Sequence, residues 1–390
     1  MRSALLGHNV GEEPLGERLG CWIDGTERFP QPWMAVCDPA SEEPFAHVPV
    51  CDASWVHRAV AGAVHAHKAW QKTPPHHRRD VLHAWARLIR NHKDHLSALL
   101  SRETGKVRSA AASEVDNTAQ LTDYFAEEAY RLSGVLPLMG DPQRHTLVVR
   151  EPVGVVAAIT PFNYPLSTLI CKAAPALAVG CAVVAKPDEH TPLSTVTVAK
   201  LTAEAGLPPG LFQVVTGPGP LTGAALVDHP DVRCISFTGS TDVGKEIQRR
   251  AASGVKRLIL ELGGTCPAVI CKDADWRPHL PAMIAQAYKN SGQYCYRITR
   301  LYVARSLWEA FVPEFTERAM SLRVGPPTEP DVDLGPLNHR DILRRVEAQV
   351  SRARQAGATI RQAPLPGLLT RGFYYPPTVI TNLPTHSPLL

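Results

Sequence analysis

The chain has 390 residues, of which 44% are apolar and 20% charged, and its formal net charge is +4. This composition indicates a globular protein large enough for more than one core, and no Lys/Arg run points to nucleic-acid binding. No apolar run reaches the roughly eighteen residues of a membrane helix, and the N-terminal stretch MRSALLGHNVGEEPLGE lacks the apolar centre of a signal peptide. The nine cysteines are never spaced CxxC and no HExxH occurs, so we predict a reducing, cytoplasmic location and no metal site.

The first third of the chain is predicted to be helical. Apolar residues recur at helical spacing over residues 52–70, 80–100 and 113–132. Residues 134–150 are irregular, apart from a strand-like run at 146–149. This segment is therefore interpreted as an excursion away from the main body.

From residue 151 the pattern changes to short apolar segments that alternate with helical ones. This alternation predicts an α/β fold with an open, doubly wound parallel sheet, whose ligands lie beyond the carboxyl ends of the strands. The predicted strands are 153–159, 182–185, 212–215, 234–237 and 258–262, and the helices between them are 167–178, 194–205, 221–227 and 241–252.

Polar residues follow the first two predicted strands. Asn163 lies between two prolines, and its amide could donate hydrogen bonds to a developing oxyanion, or it could simply be a turn asparagine. Lys186 and Glu189 follow the second strand, where they could hold ribose hydroxyls or serve as ordinary loop charges.

A glycine-containing loop follows the fourth predicted strand. Its glycines would allow a phosphate to approach the backbone, and the next helix offers its N-terminus. Residues 239–245 also match GxxxxGK, the start of a nucleotide-triphosphate loop. However, Glu246 stands where such a loop needs a Ser or Thr to hold magnesium. A variant dinucleotide loop is therefore favoured, and a phosphotransferase is kept as an alternative.

Two further residues are candidates for catalysis. Glu261 ends the apolar run LILE and precedes Leu262 and two glycines. It is therefore expected to lose part of its hydration, which would raise its pKa and suit a general base. The alternative is a salt-bridged carboxylate at a sheet edge. Cys295 lies at the end of a polar turn, just before the strand-like run LYV, and is placed like a nucleophile. The alternative is a buried apolar cysteine, which is common in proteins.

Seven runs occur in an order that resembles the aldehyde dehydrogenase superfamily. They are EPVGVVAAITPFNYPL, AKPDEHTPLS, GLPPGLFQVVTG, ISFTGSTDVGKE, LELGG, NSGQYC and GFYYPPTV. The resemblance implies an α/β aldehyde dehydrogenase-like fold with a cofactor domain (1–132 and 152–262), an oligomerisation arm (133–151) and an incomplete catalytic domain (263–390). It also implies a homodimer or homotetramer if the C-terminus is present.

The resemblance implies a role for each matching residue. Cys295 is the nucleophile, Glu261 the general base, and Asn163 the oxyanion donor together with the backbone N–H of Cys295. The expected reaction oxidises an aldehyde to a carboxylic acid with NAD, or with NADP. The implied cofactor contacts are Thr160, Pro161, Phe162, Lys186, Asp188, Glu189, Gly217, Phe237, Thr238, Gly239, Ser240, Val243, Leu262 and Gly263.

The sequence also departs from the family pattern. Thr265 and Cys266 stand where relatives usually carry Lys or Asn and then a small residue, and Tyr294 and Tyr296 would crowd the substrate tunnel. Relatives continue beyond the position of Leu390 with an ExFGP motif and a final oligomerisation strand, so we predict a C-terminally truncated member. The alternative function is a catalytically impaired protein that keeps cofactor binding or serves a partner.

Overall fold

The computed structural model describes residues 16–137 and 143–389. This part excludes most of the N-terminal stretch that was checked for a signal peptide. It also excludes residues 138–142 of the predicted arm. Five short strands near the N-terminus were not predicted from the sequence. Two of them form an antiparallel hairpin, and the other three form a separate sheet in the order β1-β5-β4. The strands are β1 (Glu17–Arg18), β2 (Cys21–Ile23), β3 (Thr26–Arg28), β4 (Trp33–Cys37) and β5 (Pro44–Pro49).

Four helices follow, namely α1 (Ala53–Trp70), α2 (Pro75–Asn91), α3 (Lys93–Thr104) and α4 (Arg108–Glu128). The Asp52 carboxylate caps α1 by accepting hydrogen bonds from the backbone N–H groups of Ser54 and Trp55. The prediction of one helix over residues 80–100 is wrong, because the backbone leaves helical geometry at His92 (φ −98°, ψ 17°) and divides the segment into α2 and α3.

The central sheet confirms the predicted parallel arrangement. Its order is β10-β9-β6-β7-β8-β2-β3, in which β6 to β10 are mutually parallel and β2 pairs antiparallel with β8. Every residue of β6 is buried, as expected for a strand covered on both faces. The strands are β6 (Val155–Ile159), β7 (Ala182–Lys186), β8 (Phe212–Val214), β9 (Val232–Thr238) and β10 (Arg257–Glu261). The helices are α5 (Pro165–Ala178), α6 (Leu193–Glu204), α7 (Ala224–Asp228) and α8 (Thr241–Ala251).

A second, smaller apolar core lies in the C-terminal part of the described chain. It gathers Trp276, Ile284 and Phe311 beside the parallel pair of β11 and β12. The elements here are β11 (Cys266–Ile270), α9 (Leu280–Tyr288), β12 (Ile298–Val303), α10 (Trp308–Met320), α11 (Arg340–Gln355), β13 (Thr359–Gln362) and β14 (Thr378–Thr381). The division of the chain into domains at the predicted boundaries stays a prediction.

The register of the central sheet brings the carboxyl ends of its strands to one edge. Ile159 pairs with Lys186 on one side and with Phe237 on the other, and Thr238 pairs with Glu261. The loops that carry the predicted polar residues therefore leave the sheet next to one another. No helix in the described residues is both long and apolar enough to cross a membrane.

Candidate active site

The turn before β12 presents Cys295 at the surface. Asn290, Ser291 and Gly292 all have positive φ angles, of 52°, 56° and 76°, so the chain reverses sharply after α9. A left-handed backbone is unusual for Asn and Ser and persists only where the surrounding structure holds it. The side chain of Gln293 is buried, whereas Cys295 is exposed. This is the turn-before-strand placement that the sequence predicts for a nucleophile.

Gln293 anchors this turn, and the sequence did not single it out for that role. Its Nε2 donates to the carbonyl of Asn290 at 3.1 Å, and its Oε1 accepts from the backbone N–H of Asn338 at 3.0 Å. Asn338 in turn donates through Nδ2 to the carbonyl of Glu103 at 3.0 Å. The turn that carries Cys295 is thus fixed to segments that lie far away along the chain.

Asn163 is joined directly to the same turn. Its Nδ2 donates to the carbonyl of Gln293 at 3.0 Å, which holds the side-chain amide two residues from Cys295. The amide carries a second N–H, which can donate to an oxyanion formed at Cys295. The structure therefore brings together two of the three predicted catalytic residues.

Lys106 holds Asn163 from the other side. Its Nζ donates to the Asn163 carbonyl at 2.9 Å, lies 3.6 Å from the centre of the Tyr164 ring, and is ion-paired with Glu114. Both side chains of this ion pair are 0% exposed. The sequence patterns did not assign Lys106 a role.

The electrostatic environment of Cys295 favours the protonated thiol. Partial burial raises the pKa of Cys295 above its ordinary value, and the charges of Cys266 and Glu261 raise it further. Hydrogen bonds from the backbone N–H groups of Cys295 and Tyr296 lower this pKa, but they do not cancel the increase. Since the thiolate is the nucleophile, attack requires a group that removes the proton.

Glu261 interacts electrostatically with Cys295 but is more exposed than predicted. It ends β10, the edge strand of the sheet, in which alternate residues are exposed, and Glu261 itself is exposed. The expected partial loss of hydration is therefore wrong, because one face of this strand is not covered by other parts of the described chain. The charge of Glu261 still acts on both Cys295 and Lys172.

Lys172 is a candidate that sequence reasoning missed. It is buried within α5, and its Nζ donates to the hydroxyl of Thr238 at 2.6 Å. Burial lowers the pKa of Lys172 to about 8, against the opposing charges of Cys171 and Glu261. A lysine inside the apolar run LICKAAPALA was the available signal, because such a residue needs a partner or a function.

Thr160, Lys186 and Glu189 lie at the carboxyl ends of β6 and β7. The Thr160 hydroxyl is buried and has no hydrogen-bond partner among the described residues. Lys186 is buried too, and its Nζ contacts Glu189 Oε2 at 3.0 Å. A buried hydroxyl without a partner is what a missing polar ligand would satisfy, and a cation beside a carboxylate suits ribose hydroxyls. These residues fit a dinucleotide.

Asp188 is engaged within the protein. Its Oδ1 accepts from the backbone N–H of His190 at 3.0 Å and lies 2.8 Å from His190 Nδ1. Burial lowers the pKa of His190, but the hydrogen bond and charge of Asp188 outweigh it, so the net shift is upward. The His190 ring stacks on His339 at 4.2 Å between centroids. Asp188 therefore orients a histidine pair beside Lys186 and Glu189.

The loop after β9 is built for close approach of a ligand. A Cβ at Gly239 would lie 2.4 Å from the Phe237 ring, so this position requires glycine. The Ser240 hydroxyl caps α8 by accepting from the backbone N–H of Val243 at 3.3 Å. The N-terminus of α8 is thus open at the same edge of the sheet and suits a phosphate.

The structure gives Glu246 a different role from that of a magnesium-binding residue. Its carboxylate is ion-paired with Arg249 and Arg250 of the same helix. No group of three or more potential metal ligands occurs in the part of the chain that the structure describes. The remaining predicted cofactor residues follow the strand ends, with Pro161 and Phe162 after β6, Gly217 after β8, Thr238 at the end of β9, and Leu262 and Gly263 after β10.

Comparison with known proteins decides the family. A sequence model described as the aldehyde dehydrogenase family matches residues 22–390. The chain belongs to this family. It is 38% identical over 353 residues to a probable succinate-semialdehyde dehydrogenase [NADP(+)] from Sinorhizobium fredii, covering 90% of this chain and 71% of the relative. It is 36% identical over 366 residues to a 3-sulfolactaldehyde dehydrogenase from Pseudomonas putida, covering 93% and 74% respectively.

Solved structures agree with this assignment. Lactaldehyde dehydrogenase from Escherichia coli superposes with a TM-score of 0.93 at 32% identity, covering 96% of this chain and 79% of that one. A betaine aldehyde dehydrogenase from Staphylococcus aureus in complex with NAD+ superposes with a TM-score of 0.92 at 31% identity, covering 95% of this chain and 76% of that one. The predicted α/β aldehyde dehydrogenase-like fold and an NAD(P)-dependent aldehyde-oxidising enzyme are thereby confirmed. Nothing in the comparisons favours the catalytically impaired alternative.

Proposed function

We propose that Cys295, Asn163 and Glu261 together oxidise an aldehyde to a carboxylic acid at this edge of the sheet. The observation that carries this assignment is the 3.0 Å hydrogen bond from Asn163 Nδ2 to the Gln293 carbonyl, which holds a donor beside the Cys295 turn. Glu261 supports it, because its charge acts on Cys295 from the end of the neighbouring strand.

The chemistry follows from what each side chain can do. The Cys295 thiolate attacks the aldehyde carbon, and the oxyanion of the resulting thiohemiacetal is held by the Asn163 amide and the backbone N–H of Cys295. When bound, NAD(P) would accept the hydride that leaves the thiohemiacetal carbon, and loss of this hydride gives the thioester. Glu261 then takes a proton from the water that hydrolyses the thioester. Because Glu261 is exposed, it can return that proton to solvent.

The cofactor is proposed to bind along the strand ends. Lys186 and Glu189 would hold the adenine ribose, and Gly239 and Ser240 would receive the pyrophosphate at the N-terminus of α8. NAD is the proposed preference, since the Glu189 carboxylate would repel a 2′-phosphate. Lys186 offsets this repulsion only in part, because its ammonium is already paired with Glu189 at 3.0 Å.

The substrate is proposed to be a short aldehyde with a second, anionic group. Relatives of this chain are named for succinate semialdehyde, 3-sulfolactaldehyde and aspartate semialdehyde. Two cations adjoin the Cys295 turn. The Lys289 ammonium lies 4.9 Å from the centre of the Tyr294 ring, and the Arg297 guanidinium interacts electrostatically with Cys295. Either cation could hold the distal anion while the aldehyde faces the thiol.

An oligomer and a cytoplasmic location are proposed as well. The predicted arm pairs Val135 with Val148 in an isolated antiparallel bridge. Both residues are exposed, as are Leu136, Leu147 and Val149, so the arm presents an apolar surface suited to a second copy. All nine cysteines are free, which favours a reducing compartment.

The test of the catalytic assignment is Glu261→Gln. We expect one turnover of reduced cofactor per site, followed by a steady rate about 100-fold to 10,000-fold below the parent rate, because the amide cannot activate water. Intact mass should then show an acyl group on Cys295. Glu204→Gln, an exposed position at the end of α6, should keep the parent rate.

Two outcomes would contradict the assignment. A parent steady rate in Glu261→Gln would show that another group activates the water. Loss of the first turnover along with the steady rate would place Glu261 before the thioester and not after it.

A further inference from the structure

A second thiol lies against the main chain of the proposed nucleophile. Cys266 is the first residue of β11, and its Sγ donates to the carbonyl of Cys295 at 3.4 Å. The parallel register pairs Cys266 with Ile298 of β12. A turn closed by the hydrogen bond from Arg297 N to Tyr294 O, 3.2 Å long, folds Cys295 back beside this pair.

The two thiols share an electrostatic environment. The Arg297 guanidinium interacts electrostatically with both Cys266 and Cys295, so the two sulfur atoms lie near the same cation. Cys295 is exposed, and Cys266 is partly exposed. Small oxidants in solution can therefore reach Cys295, and Cys266, which contacts the Cys295 carbonyl, is a thiol placed to react next.

We propose that Cys266 is the resolving thiol for Cys295, so that a peroxide converts the site reversibly to a disulfide instead of destroying it. This inference rests on the proposed role of Cys295 as the reactive nucleophile. The alternative is that Cys266 only holds the turn through its weak hydrogen bond to the Cys295 carbonyl.

The steps balance with a hydroperoxide as the oxidant. The Cys295 thiolate attacks one peroxide oxygen, the O–O bond breaks, and hydroxide leaves, which gives a sulfenic acid. The Cys266 thiolate then attacks the sulfur of the sulfenic acid, the S–O bond breaks, and the released hydroxide takes a proton to become water. One peroxide thus oxidises two thiols and yields two waters, and a dithiol reductant reverses the change.

Because the Cys266 sulfur lies against the main chain of Cys295, we expect rotation of the side chains to bring the two sulfur atoms together. A disulfide joins Cα atoms about 4.4–6.8 Å apart, and the Cys266 sulfur already contacts the backbone of Cys295. The Cys295 side chain must turn from solvent towards β11. In that position it cannot attack an aldehyde, so the oxidised enzyme would be inactive until it is reduced.

The experiment treats the full chain with a several-fold excess of hydrogen peroxide, removes the peroxide, adds iodoacetamide, and maps cysteines by mass spectrometry without reductant. We expect a linked peptide that contains Cys266 and Cys295, with most iodoacetamide labelling of Cys295 restored by dithiothreitol. In Cys266→Ser, the hydroxyl keeps the hydrogen bond but cannot form a disulfide. Cys295 should then proceed to sulfinic and sulfonic acid, and labelling should not return.

Matched variants separate the possible outcomes. Cys271→Ser changes an exposed cysteine that follows the other end of β11 and should behave like the parent. Cys266→Ala removes both the thiol and the hydrogen bond to the Cys295 carbonyl. If it gives the same oxidation products as Cys266→Ser, the protection of Cys295 comes from the disulfide and not from the hydrogen bond. Equal over-oxidation of Cys295 in the parent and in Cys266→Ser would overturn the inference.

The labelling step also distinguishes this inference from the proposed function. If untreated protein is alkylated at Cys295 before its other cysteines but no linked peptide forms, the resolving role of Cys266 fails alone. If Cys295 is not alkylated preferentially, the nucleophile assignment fails, and the inference fails with it.

Discussion

Replacing Lys106 with Met should destabilise the protein strongly and also misplace Asn163, the proposed oxyanion donor. The Lys106–Glu114 ion pair is fully buried, and Glu114 Oε1 accepts from the backbone N–H groups of Leu166 and Ser167 at 3.1 and 3.2 Å. Without the lysine, the Glu114 carboxylate would remain buried with no opposite charge. Breaking such a pair costs about 3–5 kcal/mol, whereas an exposed pair contributes about 0–1 kcal/mol.

The matched control is Lys93→Met. Lys93 pairs with Asp116 at 2.6 Å, and the two side chains are 39% and 44% exposed, so its loss should cost no more than about 1 kcal/mol. The double variant Lys106→Met, Glu114→Gln should recover most of the lost stability. Its amide oxygen can still accept from the helix N–H groups, and no charge is left buried.

The assay combines chemical denaturation with steady-state kinetics. The free energy of unfolding should fall by several times more in Lys106→Met than in Lys93→Met. Because Lys106 also holds the Asn163 carbonyl at 2.9 Å, kcat should drop even where the variant is folded, and a shift of the donor by about 1 Å would correspond to about a hundredfold loss. Equal stability losses in the two variants would refute the reasoning, as would an unchanged kcat in the folded Lys106→Met enzyme.

Two further predictions concern specificity. Lys289→Met should lower kcat/KM for a short ω-carboxy aldehyde and leave the neutral aldehyde of the same length unchanged. A parallel loss for both substrates would show that Lys289 supports the turn and does not bind the anion. Glu189→Ser should shift the ratio of kcat/KM values towards NADP, because it removes the carboxylate that would repel a 2′-phosphate and frees Lys186 to bind it. An unchanged ratio would show that the ribose is held elsewhere.

The sequence predicted the fold class correctly and also predicted where the site lies. Buried parallel strands are nearly continuous apolar runs, so β6, β7 and β9 could be recognised from local composition. The loops after those strands carry Asn163 and Lys186, and the geometry of a parallel sheet places such loops at one edge. Cys295 could be found for the same reason, because a polar turn before an apolar run is a local pattern.

Features set by packing were harder to predict. The N-terminal strands β1 to β5 are only two to six residues long, which is too short for a periodic pattern to predict them. They form through pairing with one another and with β8. Glu261 was expected to lose part of its hydration because it ends an apolar run, yet it is exposed on a strand at the sheet edge. The strand order of the sheet decides which strand lies at the edge. That order cannot be predicted from the composition of a single segment.

The contacts that complete the site were decided by tertiary structure alone. Lys106 lies 57 residues from Asn163, Gln293 lies 45 residues from Asn338, and Cys266 lies 29 residues from Cys295. Local sequence specifies which groups can donate, accept or react. Hydrogen bonds and buried charge pairs act over only a few ångströms. Which of those groups meet therefore depends on how whole helices and strands pack, and the chain reveals that only when it is folded.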